Sequence, residues 1–376
     1  MWYTRYLEPV WNDVLEPGRV LVLYGPRQVG KTSLIEKFLA AYEGHVFKST
    51  GDDLSLHELF QARSVSRLQT FFSHYDLVFI DEAQQIPQIG LGLKMLVDFV
   101  PHLRIIASGS SSFDLSNKLG EPLTGRQRIR LLYPISMHEL LPQLGGMKLD
   151  QHLEQYLIYG TFPEILNKRS HDDKVEHLNT LRDSFLLKDL LMLENLRNAS
   201  KIIDLLQLLA FHIGQQVSST ELANSLGMSK NTVDRYLDLL EKVFIIIKVR
   251  GFSRNLRKEV TKTSRYYFWD NGIRNAIISN FNSLKTRNDL GMLWENFLFI
   301  ERQKSNAYRR RYPNFYFWRT YDRQEIDYVE ESGGNLYGYE FKWRDKTVKA
   351  PRLWLEMYQN STFKTINKEN YIDFVT

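Results

Sequence analysis

Two stretches of this chain carry residue types whose spacing can do chemistry. The first is Gly25-Pro26-Arg27-Gln28-Val29-Gly30-Lys31-Thr32-Ser33, directly after the apolar run Val20-Leu21-Val22-Leu23-Tyr24. A strand, a glycine-rich loop and a helix start, in that order, make the phosphate cradle called Walker A. Gly25 and Gly30 let the backbone curl so that its N–H groups face phosphate oxygens. Lys31 is expected to reach the β- and γ-phosphates, and Thr32 to offer its hydroxyl to Mg²⁺. The N-terminus of the helix that follows adds a favourable field for the anion. The expected ligand is therefore ATP with Mg²⁺.

A partner for that loop lies about fifty residues on. Leu77-Val78-Phe79-Ile80 runs straight into Asp81-Glu82. A parallel strand buried on both faces is apolar throughout, and ligands collect at its carboxyl end. Asp81 is expected to hold Mg²⁺ through water, and Glu82 to orient or deprotonate the attacking water. The next apolar run, Leu103 to Ala107, ends in Ser108-Gly109-Ser110-Ser111. Ser108 and Ser110 are candidates to contact the γ-phosphate or the water; the alternative is a serine-rich loop capping a helix around Leu115. Arg126 is a candidate phosphate contact in cis or a finger on a neighbouring subunit, against an exposed structural arginine.

The second stretch is C-terminal. Asp327, Glu340 and Lys342 have the spaced Asp…Glu-x-Lys pattern of PD-(D/E)XK nucleases. Period two puts Glu340 and Lys342 on one strand face, and Asp327 on a paired strand can converge with Glu340. Asp327 and Glu340 are candidate ligands of Mg²⁺. Lys342 is then placed to lower the pKa of a water or to stabilise the phosphorane. Glu295, on a preceding helix, is a fourth candidate. An exposed charged strand face is the other reading.

These residues need elements to position them. Strands and helices alternate over residues 20–135, which implies a parallel sheet covered by helices on both faces. Leu54 to Phe72 reads as a helix broken near Ser64. An extra strand between Walker A and Asp81 places the domain with AAA-like P-loop ATPases rather than kinases. Residues 141–215 carry apolar positions at helical spacing (Leu149, Leu153, Tyr156, Leu157, then Leu181, Phe185, Leu186) and read as a helical lid. Ser218 to Glu221 has capping-box spacing, and a second helix opens at Ser229. With strands at Phe244–Val249 and Tyr266–Phe268, residues 216–270 read as a winged helix-turn-helix. Lys230, Asn231, Thr232 and Arg235 stand where a major-groove reader needs them, although Asp234 and Asp238 share that helix. Arg254, Arg257, Lys258, Lys262 and Arg265 make the wing basic and suited to DNA backbone contacts. Residues 271–376 read as helix, aromatic strand, strand, Gly333-Gly334-Asn335 hairpin, strand, helix and a last strand near Ile366–Val375.

Composition narrows the function classes. The 376 residues are enough for two or three domains, and the hydrophobic (43%) and charged (25%) fractions are those of a globular protein. There is no cysteine, which excludes disulfides, thiolate metal sites and a cysteine nucleophile and fits a reducing cytoplasm. No run approaches about 18 apolar residues, so no transmembrane helix is expected. Met1-Trp2-Tyr3-Thr4-Arg5 does not open like a signal peptide. The net charge of +5 permits an anionic partner without demonstrating one.

Taken together, these motifs resemble a large family of prokaryotic ATPases that join an AAA-type P-loop domain, a winged helix and a C-terminal PD-(D/E)XK-like domain. The resemblance rests on residues 25–32, Ile80-Asp81-Glu82-Ala83-Gln84, residues 107–111, Thr124-Gly125-Arg126, Trp269-Asp270-Asn271-Gly272, Trp294-Glu295-Asn296, Trp318-Arg319, Glu325-Ile326-Asp327 and Tyr339-Glu340-Phe341-Lys342. It implies ATP binding and cytoplasmic residence. Ile326 stands where the nuclease signature has proline. The resulting expectation is an α/β chain with an ATPase domain over 1–140, a lid over 141–215, a winged helix over 216–270 and a nuclease-like domain over 271–376. Its nucleotide state would control a DNA-binding half that contacts DNA through Lys230 and Arg235, with or without cleavage. The alternative is a nucleotide-driven switch that binds a protein partner and carries an inert nuclease-like fold.

Overall fold

The computed structural model describes residues 1–109, 123–184, 199–253, 263–320 and 324–376. They form two compact units, residues 2–133 and residues 134–376, with Met1 counted in the second.

The first unit is built on five parallel strands: β1 (Val20–Tyr24), β2 (Val46–Thr50), β3 (Leu77–Asp81), β4 (Arg104–Gly109) and β5 (Gln127–Leu131). Their spatial order is β2-β3-β4-β1-β5. Strand β4 therefore lies between β1, which leads into the phosphate loop, and β3, which ends at Asp81. The strand that intervenes in sequence, β2, is an edge. Central strands are apolar because both faces are covered: Leu77 to Ile80 are fully buried, whereas the edge strand β5 reads Gln-Arg-Ile-Arg-Leu. Helix α1 (Lys31–Ala40) follows β1. Helices α2 (Leu54–Gln61) and α3 (Val65–Phe72) are separate because Ser64 takes the N-cap and accepts from Arg67 N, which confirms the break expected there. Helix α4 (Ile89–Phe99) leads towards β4.

The second unit begins with helices α5 (Met137–Leu144), α6 (Gly146–Tyr159), α7 (Pro163–Asn167), α8 (His171–Ser184) and α9 (Ala199–Phe211). The region expected as a lid thus belongs to this unit; Phe185 and Leu186 lie outside the described residues. Next come β6 (Gln216–Val217), α10 (Ser219–Leu226), α11 (Lys230–Lys242), β7 (Ile246–Gly251) and β8 (Ser264–Phe268). Ser218 closes the expected capping box with Glu221. Helices α12 (Asn271–Ile277) and α13 (Leu290–Tyr308) lead to β9 (Asn314–Arg319), β10 (Glu325–Ser332) and β11 (Asn335–Phe341). Helix α14 (Arg352–Met357), β12 (Ser361–Ile366) and α15 (Tyr371–Val375) finish the chain. Gly333 and Gly334 make the two-residue turn between β10 and β11, with φ +56° and +78°. The last strand ends at Ile366 rather than starting there. Side-chain turns explain the stop: Asn370 Oδ1 accepts from Asn367 N at 2.9 Å, and Asn367 Oδ1 from Glu369 N at 3.0 Å.

All seven strands form one sheet, ordered β12-β11-β10-β9-β7-β8-β6. The boundary expected at residue 270 therefore falls inside a single sheet: β7 pairs in parallel with β9 through Arg250–Tyr316 and Gly251–Phe317. A buried joint fixes the helices against it. Asp270 caps α12, accepting from Ile273 N at 3.2 Å, and also accepts from Thr161 N at 2.8 Å. A Cβ at Gly160 would lie 1.9 Å from Asp270 Oδ1, so that position must be glycine. Asn296 Oδ1 accepts from Phe268 N at 2.7 Å, while its Nδ2 donates to Phe268 O and Asn271 Oδ1. Burial pushes the Asp270 carboxyl up to about 6.

Candidate functional site

In the first unit the phosphate loop leaves β1 and enters α1. Gly25, Gln28 and Gly30 have φ of +153°, +58° and +90°. A Cβ on Gly25 would stand 1.9 Å from Leu132 O, so the loop can lie against the end of β5 only with glycine there. Gln28 and Ser33 are exposed, Arg27, Gly30 and Thr32 half-buried, and Gly25, Pro26 and Val29 buried. The Lys31 ammonium is buried and donates to Gly25 O and Pro26 O, both at 2.8 Å. The loop and α1 leave its charge at the helix N-terminus.

Strand β3 delivers Asp81 to the same place. Thr32 Oγ1 donates to Asp81 Oδ2 at 2.7 Å. Asp81 Oδ1 accepts from Ser108 Oγ, at the end of β4, and from Glu82 N at 3.1 Å. Glu82 sits at φ +47°, a strained setting for a non-glycine residue. Its Oε2 accepts from Gln84 Nε2 at 2.5 Å. Gly51 allows this corner to close, since a Cβ there would be 2.1 Å from Glu82 O. A hydroxyl and a carboxylate within one hydrogen bond of each other form an oxygen-only set, the donor chemistry that suits Mg²⁺.

One other expectation, at Arg126, turns out differently. Ser110 lies outside the described residues, and Ser108 is fully buried and spent on Asp81. Arg126 precedes β5 beside Val20, where β1 begins, whereas the loop departs from Tyr24. The length of β1 separates the two ends by about 13 Å, so the cis phosphate contact does not form. Arg126 Nε instead donates to Asp98 at 2.7 Å. Sequence reading missed Arg5. It is 3% exposed, and donates from Nη1 to Val29 O and from Nη2 to Tyr133 O, both at 2.7 Å. It thereby fastens the middle of the phosphate loop to the last residue of the unit. A lone arginine outside any motif carries no spacing signal.

In the second unit Glu295, Asp327, Glu340 and Lys342 do come together. The register places Tyr328 opposite Tyr339, so Asp327 and Glu340 follow as neighbours. Lys342 Nζ donates to Glu340 Oε1 at 2.6 Å. A fifth group stands among them. Arg265 of β8, expected on an exposed wing, is buried. Its Nη1 lies 3.2 Å from Glu295 Oε1 and 3.5 Å from Asp327 Oδ1, and its Nη2 lies 3.2 Å from Glu325 Oε2. Tyr267 donates to Glu295 Oε1 at 2.7 Å, and Phe341 N to Asp327 Oδ2 at 2.9 Å. Burial, then the Asp327 charge, raises Glu295 to about 8 and Glu340 to about 7; burial also raises Asp327. Among the described residues no group of three or more acidic or histidine side chains is arranged to hold a metal ion. Where a cation was expected at Asp327 and Glu340, Arg265 pairs with Asp327 and Lys342 with Glu340.

On α11, Lys230, Asn231 and Arg235 are exposed and Thr232 half-buried. Asp234 and Asp238 face a polar groove shared with Lys230, Lys248 and Arg250. Arg254, Arg257, Lys258 and Lys262 lie outside the described residues. No helix among the described residues is long and apolar enough to cross a membrane.

Comparison with known proteins follows this division. Residues 17–141 match an AAA domain family, while residues 150–284 and 290–368 match two domains of unknown function, DUF8612 and DUF4143. The loop, the strand order and the first match support an AAA-type P-loop ATPase. An uncharacterized protein of Mycobacterium tuberculosis is 28% identical over 327 residues, 86% of this chain and 70% of that one. An uncharacterized protein of Methanocaldococcus jannaschii is 26% identical over 314 residues, 73% of this chain and 64% of that one. A solved DNA replication initiation factor shares 14% identity with a TM-score of 0.27, covering 62% of this chain and 85% of that one, a likeness too slight to bear on function.

Three outcomes are expected. Lys31→Ala should abolish ATP hydrolysis in a protein that keeps its circular dichroism; unchanged turnover would remove the nucleotide site. Glu82→Gln should still bind ATP but turn it over at least about 100-fold more slowly, the lower range for a lost general base. Arg5→Ala should weaken nucleotide affinity about tenfold, the scale of one lost charged hydrogen bond, with Arg5→Lys recovering part; equal affinities in all three proteins would show the clamp to be idle.

Proposed function

We propose that this chain is an intracellular ATPase that binds and hydrolyses ATP, and that its nucleotide state controls DNA binding by residues 134–376. The observation that carries the ATPase part is the Thr32–Asp81 hydrogen bond at the carboxyl ends of β1 and β3. Backbone N–H groups of residues 25–33 would cradle the phosphates, and Lys31 would move from its two carbonyls to the β- and γ-phosphate charge. Thr32 and Asp81 would hold Mg²⁺, which neutralises charge between those phosphates when bound. Ser108 keeps Asp81 oriented by occupying its second oxygen. Glu82 is the residue left to orient water and take its proton, and Gln84 steadies its carboxylate.

The DNA part is supported by element order: helix α9, strand β6, helices α10 and α11, then strands β7 and β8, with β6 against β8. This is the order of a winged helix, with Lys230 and Arg235 at the exposed start of the second helix of the turn. The second reading, a switch for a protein partner with an inert nuclease-like fold, is favoured by one observation: Arg265 already pairs with Asp327, one of the two carboxylates that would have to ligate metal, and with Glu295 beside it.

ATP turnover measured with and without double-stranded DNA separates the two. Stimulation, together with a DNA affinity that falls with salt, is expected from the first reading. Neutralising Lys230 and Arg235 should then lower the salt slope by roughly one to two phosphate contacts. ATP turnover that ignores DNA, in protein with no measurable DNA affinity at low salt, would leave the partner switch.

A further inference from the structure

We propose that Arg265 is the built-in cation of the carboxylate cluster, so that the second unit keeps the acidic framework of a metal site but takes no divalent ion. The inference concerns residues 134–376 alone and does not depend on the nucleotide site.

Distances come first. Oxygen ligands sit at roughly 2.0–2.6 Å from Mg²⁺ or Ca²⁺. Here the groups face a guanidinium at 3.2, 3.2 and 3.5 Å, the spacing of ion pairs. The planar fork of an arginine lets one residue serve Glu295 and Asp327 from Nη1 and Glu325 from Nη2. The guanidinium also lies over the Phe317 ring, 4.8 Å from its centroid, which covers the charge with an aromatic face.

The lone pairs of the cluster are the next constraint. Glu295 Oε1 is taken by Arg265 and Tyr267, Asp327 Oδ2 by Phe341 N, and Glu340 Oε1 by Lys342. The Glu340 Oε2 atom is buried without a partner. The positive charge that would draw an ion to these oxygens is already supplied by Arg265 at Glu295 and Asp327 and by Lys342 at Glu340. The surrounding chain is shaped to this arrangement: Gly214, at φ +72°, leaves room for the Glu295 carboxylate, since a Cβ there would lie 2.9 Å from Oε1. Four carboxylates still exceed Arg265 and Lys342 in charge. Burial and the neighbouring Asp327 charge raise the Glu295 and Glu340 carboxyls, which favours a proton where the cations fall short.

Removing the guanidinium must then leave a buried acidic pocket that a foreign cation can enter. Mn²⁺ binding by the nucleotide-free, chelator-treated full chain is the direct test, read by electron paramagnetic resonance. The wild type should bind no Mn²⁺ that Asp327→Asn removes. Arg265→Ala should lose thermal stability, with Tm lower by roughly 5–15 °C, as expected when one partner of a buried pair is deleted from a unit this size. Millimolar guanidinium or Mn²⁺ should recover part of that loss, and sodium chloride at equal ionic strength should not. Arg265→Lys, which keeps a cation, covers the case in which Arg265→Ala does not fold: it should fold and remain free of Mn²⁺. One equivalent of Mn²⁺ bound by the wild type and lost in Asp327→Asn would overturn the proposal. So would an Arg265→Ala protein as stable as the wild type.

Discussion

The parallel pairing of β7 with β9 is the constraint on which residues 134–376 depend. It consists of two residue pairs, extended by Phe252 N donating to Phe317 O at 2.6 Å. Gly251 permits it, because even a Cβ there would press within 3.3 Å of the Phe317 ring. Past the junction, Phe252 packs at an angle against Tyr316 and Tyr358, with ring centroids 5.2 and 5.3 Å away, and joins the cluster of Trp318, Ile326, Val329, Leu336 and Trp354. The residue that follows β7 thereby supplies a core side chain to the C-terminal segment. The same continuity lets Arg265 on β8 pass over Phe317 on β9 and meet Asp327 on β10.

The chain contains two acidic corners of opposite character. Asp81 stands half-exposed at the mouth of a parallel sheet, with a hydroxyl on each carboxylate oxygen. Hydroxyls are neutral, so its negative charge stays available to an incoming cation. Glu295 and Asp327 are largely buried, and Arg265, already covalently part of the protein, supplies positive charge beside them. Similar residue types thus give an open corner in one unit and a closed one in the other. The difference lies in burial and in who supplies the counter-charge.

Sequence reading reached the first corner because its signals are local. Residues 25–33 and the run 77–82 carry their chemistry in contiguous letters, and the structure brings Thr32 and Asp81 within one hydrogen bond. Ser64 and Ser218 were legible as caps for the same reason. The second corner was half legible: period two and a glycine turn put Asp327, Glu340 and Lys342 together, but Arg265 looked like one more basic residue of a wing. Its role is set by strand order across a sheet, which no spacing records. Arg5 was invisible for that reason too, since its partners at Val29 and Tyr133 lie 24 and 128 residues away.

The shared sheet also limits how such a chain can be cut and recombined. The two matched segments, 150–284 and 290–368, meet between β8 and β9, so their border severs the β7–β9 ladder. Either piece alone would present a bare strand edge, a template for pairing with foreign chains. The C-terminal piece would also keep Glu295, Asp327 and Glu325 without the arginine that neutralises them. A gene fusion or exchange that carried one segment without the other would therefore break this sheet.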